Sequence, residues 1–419
     1  MTAIADLPDI RPSLLLDFAN SGRVDPRIEC TRASSATCWG PDGKLRTVPA
    51  NTPRIDYDPA TGKCLGLLVE EARTNLLRQS SLLSDTAWGK SDVLVTPSDT
   101  QNALGLGFIK LTPISGTYKT INQPLYMAIS DNQIVTFSVF AKAGELNTIR
   151  LGVANKASSI ITGHFNLLTG EASRQEITGK YLGDGWWRVT LSGTDMSSGS
   201  ATPRVHIYSI NNGDATTPGD GVSGLYIAAP QLELGAYATS YIPTAGTTAT
   251  RAADSVGLDL PRGMHKGSAV LNETRIGSSS SGHTFPMFLG TDNTGFISDY
   301  IGAPYVRQGS TAATRSVYIK AEILGPESYS LTTGGAGNEY GVMHKTAISW
   351  AKGRLAINFN NGVTAFSEIT EAELPLFRRL AFSRKFSSYD TSAAGATVIH
   401  RLYLYSTVVS DTQLKRLTA

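Results

Sequence analysis

Charged side chains crowd the first part of the chain: Arg32, Arg54, Asp56, Asp58, Glu70, Glu71 and Arg73. Paired carboxylates can serve as general acid and base, which is what a glycosidase needs. Guanidinium forks can instead grip the same carboxylates and hold an extended segment together. The pattern favours the second use. Arg54, Asp56 and Asp58 alternate with Ile55 and Tyr57, so they share one face of a half-buried strand, and nothing in the sequence sets one acid in an apolar pocket. All seven residues are therefore expected in a structural ion-pair lattice, with no catalytic residue.

Other side chains could bind ligands. Indole faces stack on sugar rings, and Trp88 and Trp186, beside turn signals, are the expected sugar-facing pair; Trp187 and Trp350 lie inside strand patterns and read as core. Asn211, Asn212, Asp214 and Asp220 crowd one loop. Their hard oxygens leave a calcium site at Asp214 and Asp220 open, although EF-hand spacing is absent. No other cofactor is expected. Gly219-Asp-Gly-Val-Ser-Gly224 has the letters of a dinucleotide loop, but a strand pattern follows it where a helix is required. The six histidines are scattered. His206 and His400 fall within strand patterns and read as structural. No H-E-x-x-H, C-x-x-C or G-x-S-x-G occurs, so metalloprotease, zinc-ribbon and hydrolase-elbow chemistry lack support.

The elements that must position these residues are strands. Charged residues make up only 17% of the 419 residues and apolar ones 41%; Gly, Ser and Thr fill the difference, the mix of turn-rich β-sandwiches. Strand patterns between 109 and 232 (Ile109–Leu111, Gln133–Ala141, Thr148–Ala154, Gly163–Asn166, Trp187–Gly193, Arg204–Ile210, Gly224–Leu232) are separated by turns and lack helical periods. A second set runs from Ala269 to Tyr405, with Asn360-Asn-Gly362 as a hairpin turn. Asp411 is placed to cap a short last helix whose apolar face is Leu414 and Leu417. Four regions result: an extended strand-and-turn unit over 1–79, too small for a core of its own; a jelly roll over 80–245; a linker over 246–255, with Arg251 and Asp254 tied locally; and a second sandwich over 256–419. The fold class is all-β.

Net charge is +2, so no broad field attracts nucleic acid or membrane, and no apolar run approaches the ~20 residues of a span. The three cysteines, Cys30, Cys38 and Cys64, read as buried thiols; a Cys30–Cys38 bridge is the alternative. The acidic N-terminal stretch lacks the layout of a secretion signal.

Three stretches also carry a resemblance. Thr31-Arg-Ala-Ser-Ser-Ala-Thr37, Pro53-Arg-Ile-Asp-Tyr-Asp-Pro59 and Gly66-Leu-Leu-Val-Glu-Glu-Ala-Arg-Thr-Asn-Leu-Leu77 resemble the N-terminal signature of bacteriophage tail-fibre and head-fibre proteins, with Cys38 where an aromatic is usual. Thr136-Phe-Ser-Val-Phe-Ala-Lys-Ala-Gly144, Gly183-Asp-Gly-Trp-Trp-Arg-Val189 and the run Ala229 to Pro243 resemble the carbohydrate-binding-module-like jelly roll of such fibres. His344 to Trp350, Arg354 to Gly362, Arg401 to Ser406 and Ser410 to Leu417 resemble a laminin-G or concanavalin A-like sandwich. The resemblance implies a non-enzymatic virion structural protein made in the bacterial cytoplasm. It would attach to other virion proteins through residues 1–79, form a homotrimer and present its sandwiches to host surface glycan. Two alternatives stay open. One is a fibre-borne polysaccharide depolymerase, although no repeat of a β-helix is visible. The other is a capsid or neck decoration protein without glycan binding.

Overall fold

The computed structural model describes residues 11–125, 129, 133–156, 159–193, 203–210, 218–277, 283–291, 300–307, 314–320, 329–334, 340–369, 373–385 and 395–419. The chain is all-β, 54% strand and 4% helix. Two β-sandwiches account for most of it. In the first, a six-stranded sheet runs in the order 177–183, 186–193, 135–142, 225–234, 109–113, 93–97 and faces a five-stranded sheet of 159–166, 148–156, 204–210, 120–124 and 89–91. Period-two alternation explains the packing. Along Val135–Lys142, Phe137, Val139 and Ala141 enter the core with Ile149, Leu151, Val189 and Ile207. Thr136, Ser138 and Phe140 therefore point out of the opposite face. The expected strands are present, with ends shifted by a few residues.

The second sandwich pairs an eight-stranded sheet with a seven-stranded one. The expected division of the chain meets its main difference here. The described part of the 1–79 region, residues 11–79, does not form a unit beside the sandwich. Leu14–Asp17 pairs with Arg401–Leu404, and Cys64–Glu70 pairs with Ala396–Ile399, so two early strands lie end to end along the strand Ala396–Tyr405. Arg54–Tyr57 forms the sheet edge beyond Cys64–Glu70, and Glu29–Thr31 edges the opposite sheet against Ser255–Met264. Leu14, Leu16, Phe18, Leu67 and Val69 are buried in one cluster with Leu271, Trp350, Ile399 and Leu402. Each such burial contributes roughly 1.5–3 kcal/mol, so together they rival the ~5–15 kcal/mol net stability of a domain. Alternation reveals that a segment is a strand; it does not reveal the partner. Gly66 shows how tight the join is. Its φ is +131°, and a Cβ there would lie 2.3 Å from the Ile399 carbonyl oxygen.

Residues 246–255 are not a free linker either: Ala249–Arg251 pairs with Arg73–Asn75, and Ser255 opens the next strand. Asn360 and Asn361 take positive φ in the expected hairpin turn. The last helix, Asp411–Leu417, is capped by Ser410 in a capping box with Gln413, not by Asp411, which instead binds Arg354 at 2.7 Å. The cysteines are free. No helix among the described residues is long and apolar enough to cross a membrane.

Deleting residues 1–72 is expected to abolish the cooperative melting of the second sandwich while the first, which keeps Leu76, Leu77 and Gln79, retains its strand signal. Circular dichroism melting and limited proteolysis of an Arg73–Ala419 chain check this. A chain that melts as one unit at the wild-type temperature contradicts the shared core.

Candidate functional site

Five ionised side chains meet where the early strands, the exit of the first sandwich and the entry to the second converge. Glu70 Oε2 accepts from Arg54 Nη1 at 2.8 Å, Arg251 Nη1 at 2.7 Å and Ser240 Oγ at 2.6 Å; Glu70 Oε1 accepts from the Ser240 amide at 2.9 Å. Asp254 takes Arg32 Nη1 at 2.8 Å on one oxygen, and Arg54 Nη2 at 2.5 Å with the Glu70 amide at 2.8 Å on the other. The side chains of Arg32, Arg54, Glu70 and Asp254 are 0–1% exposed. Burial works against ionising Glu70, but Arg251 and Arg54 outweigh it and hold the carboxyl at about 2. A second knot lies alongside. Glu71 pairs with Arg73 at 2.5 Å and accepts from Tyr237 Oη at 2.7 Å and the Gly395 amide at 2.9 Å. Arg251 also donates to the Glu71 carbonyl.

Of the seven residues expected in one lattice, Arg32, Arg54 and Glu70 meet in the first cluster and Glu71 and Arg73 in the second. Two members lie outside both. Asp58 binds its own turn, accepting from the Ala60 and Thr61 amides at 3.0 Å. Asp56 makes no ion pair among the described residues; it accepts the Trp39 amide at 2.8 Å. Burial pushes its carboxyl up to about 6, against partial relief from that hydrogen bond and from Lys180. The sequence reading missed Arg251, Asp254, Ser240 and Tyr237. Arg251 and Asp254 are not tied locally: they reach Glu70, Arg54 and Arg32 across the fold.

Beside this cluster a cleft of about 1160 Å³ opens between the two sandwiches. Asp56, Trp39 and Leu65 line it from the early strands, Thr274, Tyr340 and His400 from the second sandwich, and the outer face of the six-stranded sheet from the first. Strand register orders that face into rungs. Lys180, Arg188 and Phe140 lie directly across from one another, and Thr178, Thr190 and Ser138 form the next rung. The outward alternation that sends Phe137 into the core therefore lays a polar ladder along the cleft wall. Arg188 donates from Nη2 to Ser138 Oγ at 3.0 Å and stacks 5.5 Å from the Phe140 ring centroid. Its Nε is buried without a partner. Burial lowers its affinity for the proton, partly offset by Glu233 and Glu70. His400 is held by the Leu65 carbonyl and by Thr274 Oγ1 at 2.7 Å, which agrees with a structural role.

The expected sugar-facing indoles are elsewhere. Trp88 is 2% exposed in the first core, and its Nε1 donates to the Gln79 carbonyl at 2.8 Å. Trp186 is equally buried and packs edge-on against Phe108 at 5.9 Å. Neither has a free face: turn neighbours say nothing about which way a side chain points. Among the described residues Asp220 accepts only from its own turn, from the Val222 and Ser223 amides and Ser223 Oγ, which holds it at about 2. Asp214 lies outside the described residues, and no group of three metal-ligating side chains occurs among the described ones.

No family model matches the sequence, and no curated protein matches it. Solved structures are similar in part. The CBM40 domain of the Ruminococcus gnavus IT-sialidase bound to α2,3-sialyllactose has 16% identity and a TM-score of 0.31 over 39% of this chain and 93% of that one. A SAP-like pentraxin from Limulus polyphemus has 10% identity and a TM-score of 0.29 over 38% and 72%. Domains LG4-5 of the mouse laminin α1 chain have 11% and 0.24 over 70% and 90%. The sandwich architecture itself rests on the strand pairing described above.

Two outcomes are expected. Arg54→Ala leaves Glu70 and Asp254 short of a partner inside the protein and costs ~3–5 kcal/mol in chemical denaturation, with Arg54→Lys restoring only part; a loss below 1 kcal/mol contradicts the clamp. Asp56 binds its proton near 6 when folded against an ordinary 3.8. The Asp56 contribution to folding is thus full below pH ~4, and up to about 3 kcal/mol of it is lost as pH rises through 6. Asp56→Asn should match wild type below pH ~4 and exceed it in stability above ~6, read from melting curves at stepped pH.

Proposed function

We propose that this chain is a non-catalytic virion fibre or spike protein that binds host surface glycan in the cleft between its two sandwiches. The observation that carries the binding role is the cleft itself. Its volume lies just above the ~300–1,000 Å³ of small-ligand sites, room for more than one sugar, and its wall is a sheet face presenting hydroxyl, amino and guanidinium donors in register. Sugars are recognised by such fixed hydrogen-bonding groups beside an apolar surface, and the half-buried Trp39 and exposed Tyr340 line the same space. The virion placement, attachment through residues 1–79 and a homotrimer are what the resemblance of Thr31–Thr37, Pro53–Pro59 and Gly66–Leu77 to fibre proteins implies. Leu14–Asp17, Glu29–Thr31, Arg54–Tyr57 and Cys64–Glu70 are built into the second sandwich, so attachment and sandwich integrity are coupled.

One observation favours a second reading, a polysaccharide depolymerase. Asp56 is a carboxyl group pushed to about 6 at the cleft wall, the property of a general acid. Glu176 lines the same cleft, and a glycosidase would use two such groups.

Incubating the protein with host polysaccharide separates the two readings. Binding is expected in isothermal titration, with no new reducing ends, and Thr190→Arg, which fills the cleft, should abolish binding without lowering the melting temperature. Reducing ends that vanish with Asp56→Asn would establish the depolymerase. Unimpaired binding by the Thr190→Arg variant would move the glycan site out of the cleft.

A further inference from the structure

The rung of Lys180 and Arg188 poses a physical problem. Two cations stand directly opposite each other on paired strands, an arrangement that destabilises a sheet. Neither forms an ion pair among the described residues. Among the described residues Arg188 has one hydrogen-bond partner, the neutral Ser138 hydroxyl, while its Nε is shut away from solvent without one. Arg188 is half-buried, and its guanidinium has no carboxylate within ion-pair distance among the described residues, so its charge is only partly answered inside the protein. Elsewhere in the molecule buried arginines have a counter-charge: Arg32, Arg54 and Arg251 bind Asp254 or Glu70. Arg188 is held against Phe140 with its remaining donors on the wall of the cleft.

We infer that the cleft takes a carboxylate-bearing sugar, a uronic-acid class residue, whose carboxylate sits on the Arg188–Lys180 rung. This rests on the cleft being the glycan site proposed above. A planar guanidinium matches a carboxylate in two parallel hydrogen bonds, and Lys180 adds a point charge from the neighbouring strand. The hydroxyls of Thr190 and Thr178 on the next rung are placed to bind the ring hydroxyls of the same sugar. Asp56 and Glu176 also line the cleft and would repel an anion placed near them. They therefore confine the carboxylate to the rung and leave neutral parts of the sugar on their side.

The test is binding of the full chain to an array of neutral, uronate-bearing and sulfated oligosaccharides, followed by titration of the best uronate ligand. The expected result is binding to uronate-bearing glycans roughly tenfold or more tighter than to neutral ones, the worth of a charge-assisted hydrogen bond. Arg188→Met should erase that preference while leaving the melting temperature unchanged or raised. Should Arg188→Met misfold, Lys180→Gln, at an exposed position, should lower the preference severalfold and flatten the salt dependence. Tight binding of neutral glycans with no effect of either substitution overturns this inference and leaves the cleft reading standing. Preference for sulfated over uronate-bearing glycans overturns the carboxylate assignment. No binding to any class overturns the cleft reading itself.

Discussion

Glu70 and Asp254 are two carboxylates buried at one point, and the fold is arranged around the need to neutralise them. Moving an ion out of water costs several kcal/mol unless partners replace the lost hydration. Here three guanidinium groups and the Ser240 hydroxyl do so. The partners come from residues near 32, 54, 70, 240 and 251–254. Each ion depends on the others being delivered, so segments far apart in sequence must dock together. Such a cluster contributes little net stability over an apolar core of the same size, but any alternative docking leaves a charge unpaired. It acts as a device for specificity.

The same strand builds both the clamp and the cleft. Arg54 and Asp56 share a face two residues apart. Arg54 points into the cluster, while Asp56, one rung further on, lies at the cleft wall with only the Trp39 amide to bind. Ser240 joins Glu70 and lines the cleft as well. The geometry of the cleft thus follows from the pairing of Arg54, Glu70 and Asp254, which fixes how the outer sheet of the first sandwich faces the second.

Much of this was legible in the sequence. Period-two alternation placed the strands of both sandwiches, and Asn360-Asn-Gly362 marked its hairpin. The density of Arg, Asp and Glu between 32 and 73 marked the clamp. Partners were not legible, because a strand pattern specifies two faces and no neighbour. Residues 1–79 therefore read as a separate unit, although Leu14, Leu16 and Leu67 complete the core of the second sandwich. Arg251 and Asp254 read as tied locally within a linker, and nothing in the pattern set them against Glu70 and Arg32 across the fold. Trp88 and Trp186 misled for a similar reason: turn residues nearby do not say whether an indole faces in or out. Arg188, inside a strand pattern, stood out only once register set it opposite Lys180.

The central claim is that the buried cluster makes the early strands, the 240–254 segment and the second sandwich one cooperative unit. Native-state hydrogen exchange of wild type and Asp254→Asn tests it most directly, since exchange resolves which segments open together. The account predicts that wild-type amides at 54–57, 64–70 and 249–254 open only with the second core. In the variant those segments should exchange earlier, ahead of both cores. Exchange of these segments independently of the core in wild type, or no change in the variant, would contradict it.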